Sequence, residues 1–197
     1  MPKQAINPLK INNTIISSQK VFIGRAGEKL NFALDKFKIS VKGRICADFG
    51  SSIGGFVDCL LQHGASKVYA VETGYGVLGW KLRNDSRVVV MERTNAMHVG
   101  LPQKADFVSI DTSWTKQEKI IPNALKNLKE KGSIIALIKP HYESGRINLT
   151  EKEALAVAEN VVKKIKQTGL RIKGPILSPV KGKSGKNNEF LICLDTA

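Results

Sequence analysis

The sequence predicts an α/β fold: a mostly parallel sheet with helices on both faces and an antiparallel pair at its end. Three observations lead there. Short apolar runs alternate with segments of helical period through most of the chain. A glycine-rich turn, Asp48-Phe-Gly50-Ser-Ser-Ile-Gly54-Gly55-Phe56, joins the first strand to the next helix. Near the C-terminus two strand-like runs follow one another with no helix between them. Repeated strand–helix units put helices on both faces of a parallel sheet.

The elements follow in order. Leu30, Ala33, Leu34 and Phe37 share one face of a helix within residues 25–37. Residues 44–50 read as a strand, and 54–65 as a helix stopped by Gly64. A strand at 66–72, a short helix at 76–84 and strands at 87–92 and 105–111 come next. Residues 116–130 are predicted helical, with Pro122 marking a start or a kink. Residues 131–140 are a strand closed by Pro140. The longest helix is predicted at 149–169, with Thr150 as N-cap, Glu153 three residues later and Gly169 just past its end. The antiparallel pair is 170–180 and 188–195, joined by a basic turn. Residues 1–20 read as a basic arm, and 21–197 as one domain.

At 197 residues, with 42% hydrophobic and 24% charged residues, the chain is long enough to bury a core without staples. No apolar run approaches a membrane span, and the N-terminus lacks the apolar stretch of a signal peptide, so a soluble cytoplasmic protein is expected. Cys46, Cys59 and Cys193 sit in apolar company and read as buried thiols. His63, His98 and His141 stand far apart and no CxxC occurs, so no metal site is expected.

The net charge of +14 is uneven. Residues 1–47 contribute +7 and residues 161–197 contribute +6, whereas the middle of the chain is nearly balanced. That distribution suits a polyanion-binding face built from the two ends of the chain, with nucleic acid favoured over a membrane surface. A solvated surface that merely keeps the protein soluble is the plain alternative.

The glycine turn is neither GxGxxG nor a Walker loop. An acid two residues before its first glycine disfavours pyrophosphate and suits a cationic ligand. S-adenosylmethionine carries a sulfonium and an ammonium group, and Glu72, at the end of the next strand, is placed to accept ribose hydroxyls. Otherwise Asp48 is a loop cap and Glu72 a surface carboxylate. Cofactor candidates are Asp48, Gly50, Ser51, Gly54, Gly55, Phe56 and Glu72. Arg93, Thr94 and Asn95, after the third strand, are weaker ones.

Here the sequence resembles the TlyA (hemolysin A-like) branch of the FtsJ-type RNA 2′-O-methyltransferases. The matching stretches are Gly24-Arg-Ala-Gly-Glu-Lys-Leu30, residues 48–60, 67–76, 80–83, 87–95 and 138–146, and Asn188-Glu-Phe-Leu191. The resemblance implies a Rossmann-like methyltransferase fold with seven strands and an antiparallel last strand. It also implies S-adenosylmethionine as cofactor, ribosomal RNA as substrate, cytidine 2′-O as target, and a catalytic set of Lys29, Asp111, Lys139 and Glu189. Asp111 would also face the methyl-donor region. Independently, Asp111 and Lys139 each close a strand-like run, so both are placed at the edge that carries the glycine turn. Arg25, Lys29, Lys36, Lys181, Lys183 and Lys186 are the RNA-binding candidates. Trp114 and Tyr142 each suit either stacking on one base or ordinary packing.

The chain departs from the family in three places. Only about 20 residues precede Gly24, too few for the S4-type RNA-binding domain usual in this branch. RNA choice is then expected to rest on the basic termini or on an accessory partner. The glycine turn reads Ser51-Ser52-Ile53 where Ala-Ser-Thr is commoner, and Asp111 is followed by Thr112-Ser113-Trp114. The family's hemolysin label finds no amphipathic membrane helix or apolar span to support it. A methyltransferase with a non-RNA acceptor and an RNA-binding homologue without catalysis are the remaining alternatives.

Overall fold

The computed structural model describes residues 21–166, 170–182, 185 and 187–196. The arm at 1–20, the helix stop Gly169, and Lys183 and Lys186 of the basic turn lie outside the described residues.

Seven strands form one sheet: β1 Ile45–Phe49, β2 Lys67–Val71, β3 Val88–Met91, β4 Ala105–Ile110, β5 Leu128–Ile138, β6 Arg171–Leu177 and β7 Phe190–Asp195. Their spatial order is β3-β2-β1-β4-β5-β7-β6. The first five strands pair in parallel. β7 runs antiparallel between β5 and β6. The helices are α1 Ala26–Phe37, α2 Gly55–Gln62, α3 Trp80–Arg83, α4 Gln117–Lys126, α5 Pro140–Ser144 and α6 Glu151–Lys166.

The central strands are buried on both faces, which is why they read as continuous apolar runs rather than alternating ones. Neighbouring residues nevertheless go to different cores. Cys46, Phe107, Ile135 and Leu137 join Leu30, Leu34, Phe56 and Leu60 of α1 and α2 on one face. Ala47, Val108, Ile134 and Ala136 join Ile120 of α4 and Ala158 and Val162 of α6 on the other. Cys46, Cys59 and Cys193 are buried free thiols, and burial pushes Cys46 up to about 12. Among the described residues, no helix is long and apolar enough to cross a membrane.

Several boundaries differ from the sequence expectation, and the short helix expected at 76–84 is only Trp80–Arg83. The helix expected to run to residue 130 ends at Lys126, and Leu128 already pairs with Ala105 as the start of β5. Asn127 makes that break. Its amide donates to Val99 O and Asn123 O, and its carbonyl oxygen accepts from Leu101 N–H. Pro122 lies inside α4 rather than at its start. Pro140, expected only to end a strand, is also the first residue of α5, where its fixed φ and missing N–H cost nothing.

Candidate functional site

The carboxyl ends of β1, β4 and β5 lie side by side, with Phe49 in register with Ile110 and Ile110 with Ala136. The glycine turn leaves β1 at this edge. Gly50 and Ser51 N–H groups both donate to Val71 O, at 2.9 and 3.0 Å. Gly50 adopts φ +90°, and a Cβ there would stand 2.7 Å from Asp111 O. The turns after β1 and β4 therefore touch backbone to backbone, a geometry open only to glycine. A second close approach brings α1 onto α2. A Cβ on Gly27 would meet Phe22, and one on Gly55 would meet Ala26 at 2.8 Å. That seam sets Lys29, one turn into α1, beside the glycine turn.

Two ion pairs face this crevice, one half-buried and one buried. Lys139 Nζ, just past β5, lies 2.6 Å from Asp111 Oδ1, just past β4. Lys29 Nζ lies 2.5 Å from Glu189 Oε2, at the entrance to β7. Burial raises the Glu189 carboxyl above the usual carboxylate range, against the lowering effect of its partner Lys29 and a smaller one from Lys139, with a small further push up from Asp111. Asp48 is fully buried at the end of β1. Its Oδ1 accepts from Ser109 Oγ at 2.7 Å, while Oδ2 has no partner among the described residues. Burial pushes its pKa up to about 8, against the lowering effect of Ser109 and with smaller raising effects from Asp111 and Glu72.

Two cavities of about 340 Å³ each adjoin at the glycine turn, a size that suits small-molecule sites. The first is lined by Lys29, Asp111, Lys139 and Glu189 together with Asp48, Gly50, Ser51, Gly55, Phe56, Arg25 and Lys181. The second is lined by Glu72, Thr94 and Asn95 with Val71, Ala96 and Ile120. Gly50, Ser52, Asp111 and Ser113 line both. The four residues implied as catalytic thus meet in one place, although Lys29 and Glu189 are 160 positions apart.

Other expected residues stand elsewhere or play a different part. Gly54 does not line either cavity; it packs against α3, where a Cβ would strike Leu82. Arg93 is exposed and stacks its guanidinium on Tyr75, 4.3 Å from the ring centre. Lys36 points away along α1, with its ammonium over Phe32. Glu72 is already engaged by backbone, accepting from Ser52 N–H and Gly74 N–H at 2.9 Å each. Trp114 is 81% exposed, so it is not a core residue, and its ring lies 4.7 Å from Tyr142. Sequence reading missed Ser109, the one partner of buried Asp48, although a serine in the apolar run of β4 was a visible signal. It also missed Asp58 on α2, whose carboxylate accepts from Ile23 N–H at 2.7 Å and so fixes the chain entering α1.

The crevice fits the cationic cofactor expected of it. The glycine turn leaves a cradle that a Cβ would close, and beside it Asp48 Oδ2, unpartnered among the described residues, is an open polar atom for the cofactor's ammonium end. Glu72, Thr94 and Asn95 supply acceptors and donors for a nucleoside in the adjoining cavity.

A family model described as FtsJ-like methyltransferase matches residues 22–196. The Bacillus subtilis protein YqxC is 42% identical over 188 residues, which cover 88% of this chain and 65% of its own length. The Mycobacterium tuberculosis 16S/23S rRNA (cytidine-2′-O)-methyltransferase TlyA is 34% identical, covering 99% of this chain and 76% of that one. A crystal structure of a Lactococcus lactis protein with a hemolysin name superposes with a TM-score of 0.82, at 38% identity and 89% coverage of both chains.

Proposed function

Because the chain belongs to the FtsJ-like methyltransferase family, we propose that it transfers a methyl group from S-adenosylmethionine to a ribose 2′-hydroxyl of ribosomal RNA. One observation carries this reading: the Lys139–Asp111 and Lys29–Glu189 pairs share a cavity with the glycine turn. The name of the Mycobacterium tuberculosis relative supports ribosomal RNA as the acceptor and cytidine as the nucleoside.

The cofactor, when bound, supplies an electrophilic methyl group on its sulfonium. Gly50, Ser51, Gly55, Phe56 and Asp48 would hold it at the glycine turn. Glu72, Thr94 and Asn95 would hold its nucleoside, with Glu72 remaining tied to the Ser52 and Gly74 backbone. A neutral hydroxyl is a poor nucleophile. Lys139 donates to the ribose 2′-oxygen, orients it and stabilises the negative charge that builds as the hydroxyl proton passes to water in the open crevice. Asp111 fixes the Lys139 ammonium. Lys29 and Glu189 complete the polar wall and hold the ribose. Much of the acceleration comes from aligning the two substrates. Arg25 and Lys181, at the rim, meet flanking phosphates.

Lys139→Ala is expected to lower methyl transfer by about 10²–10⁴-fold while S-adenosylmethionine affinity, read by calorimetry, stays within about twofold. Equal loss of binding and transfer would contradict the role given to Lys139. A wild-type protein that methylates a non-RNA acceptor, with no salt-dependent affinity for RNA, would replace the RNA reading.

A further inference from the structure

The catalytic mouth does not absorb the charge at the two ends of the chain. Part of that charge meets at the opposite edge of the sheet. There a groove of about 500 Å³ opens between the end of α1, the start of β1, the kink of β5 and the paired ends of β6 and β7. Lys38, Arg44, Lys131, Arg171 and Lys173 line it, with Asp195 as its one acidic lining residue. Lys173 pairs with Asp195 at 3.0 Å. Among the described residues, Lys38, Arg44, Lys131 and Arg171 make no ion pair within 4.0 Å. Lys38, Lys131 and Arg171 are exposed.

The groove is separate from the active site. Ser133, on its floor, and Ile138, beside the catalytic Lys139, are five residues apart on β5, about 17 Å at the usual strand rise of roughly 3.3 Å per residue. Five cations drawn from four segments face one carboxylate in the lining, Asp195, while Asp106 also acts on Arg44, and the positive excess that is left repels itself at neutral pH. A polyanion in the groove, or strong salt, relieves that repulsion. Few aromatic residues line it, so it suits a phosphodiester backbone rather than splayed bases.

We propose that this groove is a second RNA-contact surface, holding phosphates of the substrate away from the methylated nucleotide. The inference rests on the RNA reading of the active site. An RNA long enough to reach both ends of the strands is held at two separate places, and the groove then adds affinity without touching chemistry.

The test is the triple variant Lys38→Gln, Lys131→Gln, Arg171→Gln, compared with wild type on ribosomal RNA and on a short single-stranded fragment around the mapped target nucleotide. Its melting temperature and S-adenosylmethionine affinity, expected to be unchanged, show that it is folded. On ribosomal RNA the KM is expected to rise about tenfold with kcat unchanged, and the salt slope of binding to fall in magnitude by about 2–3, as for the loss of three phosphate contacts. On the short fragment the variant and wild type are expected to behave alike. Restoring charge with Lys38→Arg, Lys131→Arg, Arg171→Lys returns the KM. Unchanged affinity and salt slope on ribosomal RNA would overturn the groove proposal and leave the active-site reading standing, as would an equal loss on both substrates. Absence of salt-dependent RNA affinity in the wild type would overturn both.

Discussion

At Asp48 one carboxyl oxygen is held by Ser109, the other has no partner among the described residues, and the side chain is fully buried. Burial raises its pKa to about 8 from an ordinary 3.8. Above about pH 4 the unfolded chain releases a proton that the folded chain keeps. Folding stability is therefore full below that pH and is lost as pH rises toward 8, at a slope of up to about 1.4 kcal/mol per pH unit. Asp48→Asn is expected to flatten that slope, which urea midpoints between pH 4 and 8 would reveal; an unchanged profile would contradict it. Gly50 supplies a second residue-scale prediction. Gly50→Ala forces a side chain into φ +90° and against Asp111 O. It is expected to cost about 1–3 kcal/mol and to lower methyl transfer by displacing Asp111, as denaturation and turnover assays would show. Lys139 and Asp111 were legible in sequence because each polar residue closes an apolar run. The Lys29–Glu189 contact was not, since it depends on how α1 lies against the entrance to β7.

Helix α6 shows what local sequence encodes well. Thr150 Oγ1 accepts from Glu153 N–H, and Glu153 Oε2 accepts from Thr150 N–H at 2.9 Å, the reciprocal cap expected from their spacing. Thr150→Ala is expected to cost about 1 kcal/mol, or about 2–4 °C in melting temperature for a domain of this size. The α4–β5 boundary was less legible. Residues 116–130 keep a helical look, but Asn127 finds its partners on the loop at Val99–Leu101. Only tertiary contacts turn the chain there. Glu143, from the unforeseen α5, accepts from Gln117 N–H at 2.8 Å and so caps α4 from outside. Burial raises its pKa. Glu143→Ala is expected to destabilise by about 1–2 kcal/mol, as a denaturation midpoint would report, and to loosen the turn that carries Trp114.

For the molecule as a whole, alternating strands and helices foretold the doubly wound sheet, and two strand runs in succession foretold its antiparallel end. Strand order was not in the pattern: β7 inserts between β5 and β6, and this insertion brings Glu189 beside the carboxyl ends of β4 and β5. The charge asymmetry was visible in the sequence, but not its division between two edges of the sheet. The central claim is ribose methylation of ribosomal RNA, and its most direct test uses methyl-labelled S-adenosylmethionine with unmodified ribosomal RNA or subunits, followed by nuclease digestion and mass spectrometry. The account predicts label on a ribose 2′-oxygen, lost in Lys139→Ala. Label on a base or on protein, or no label from a wild-type protein that binds the cofactor, would contradict it.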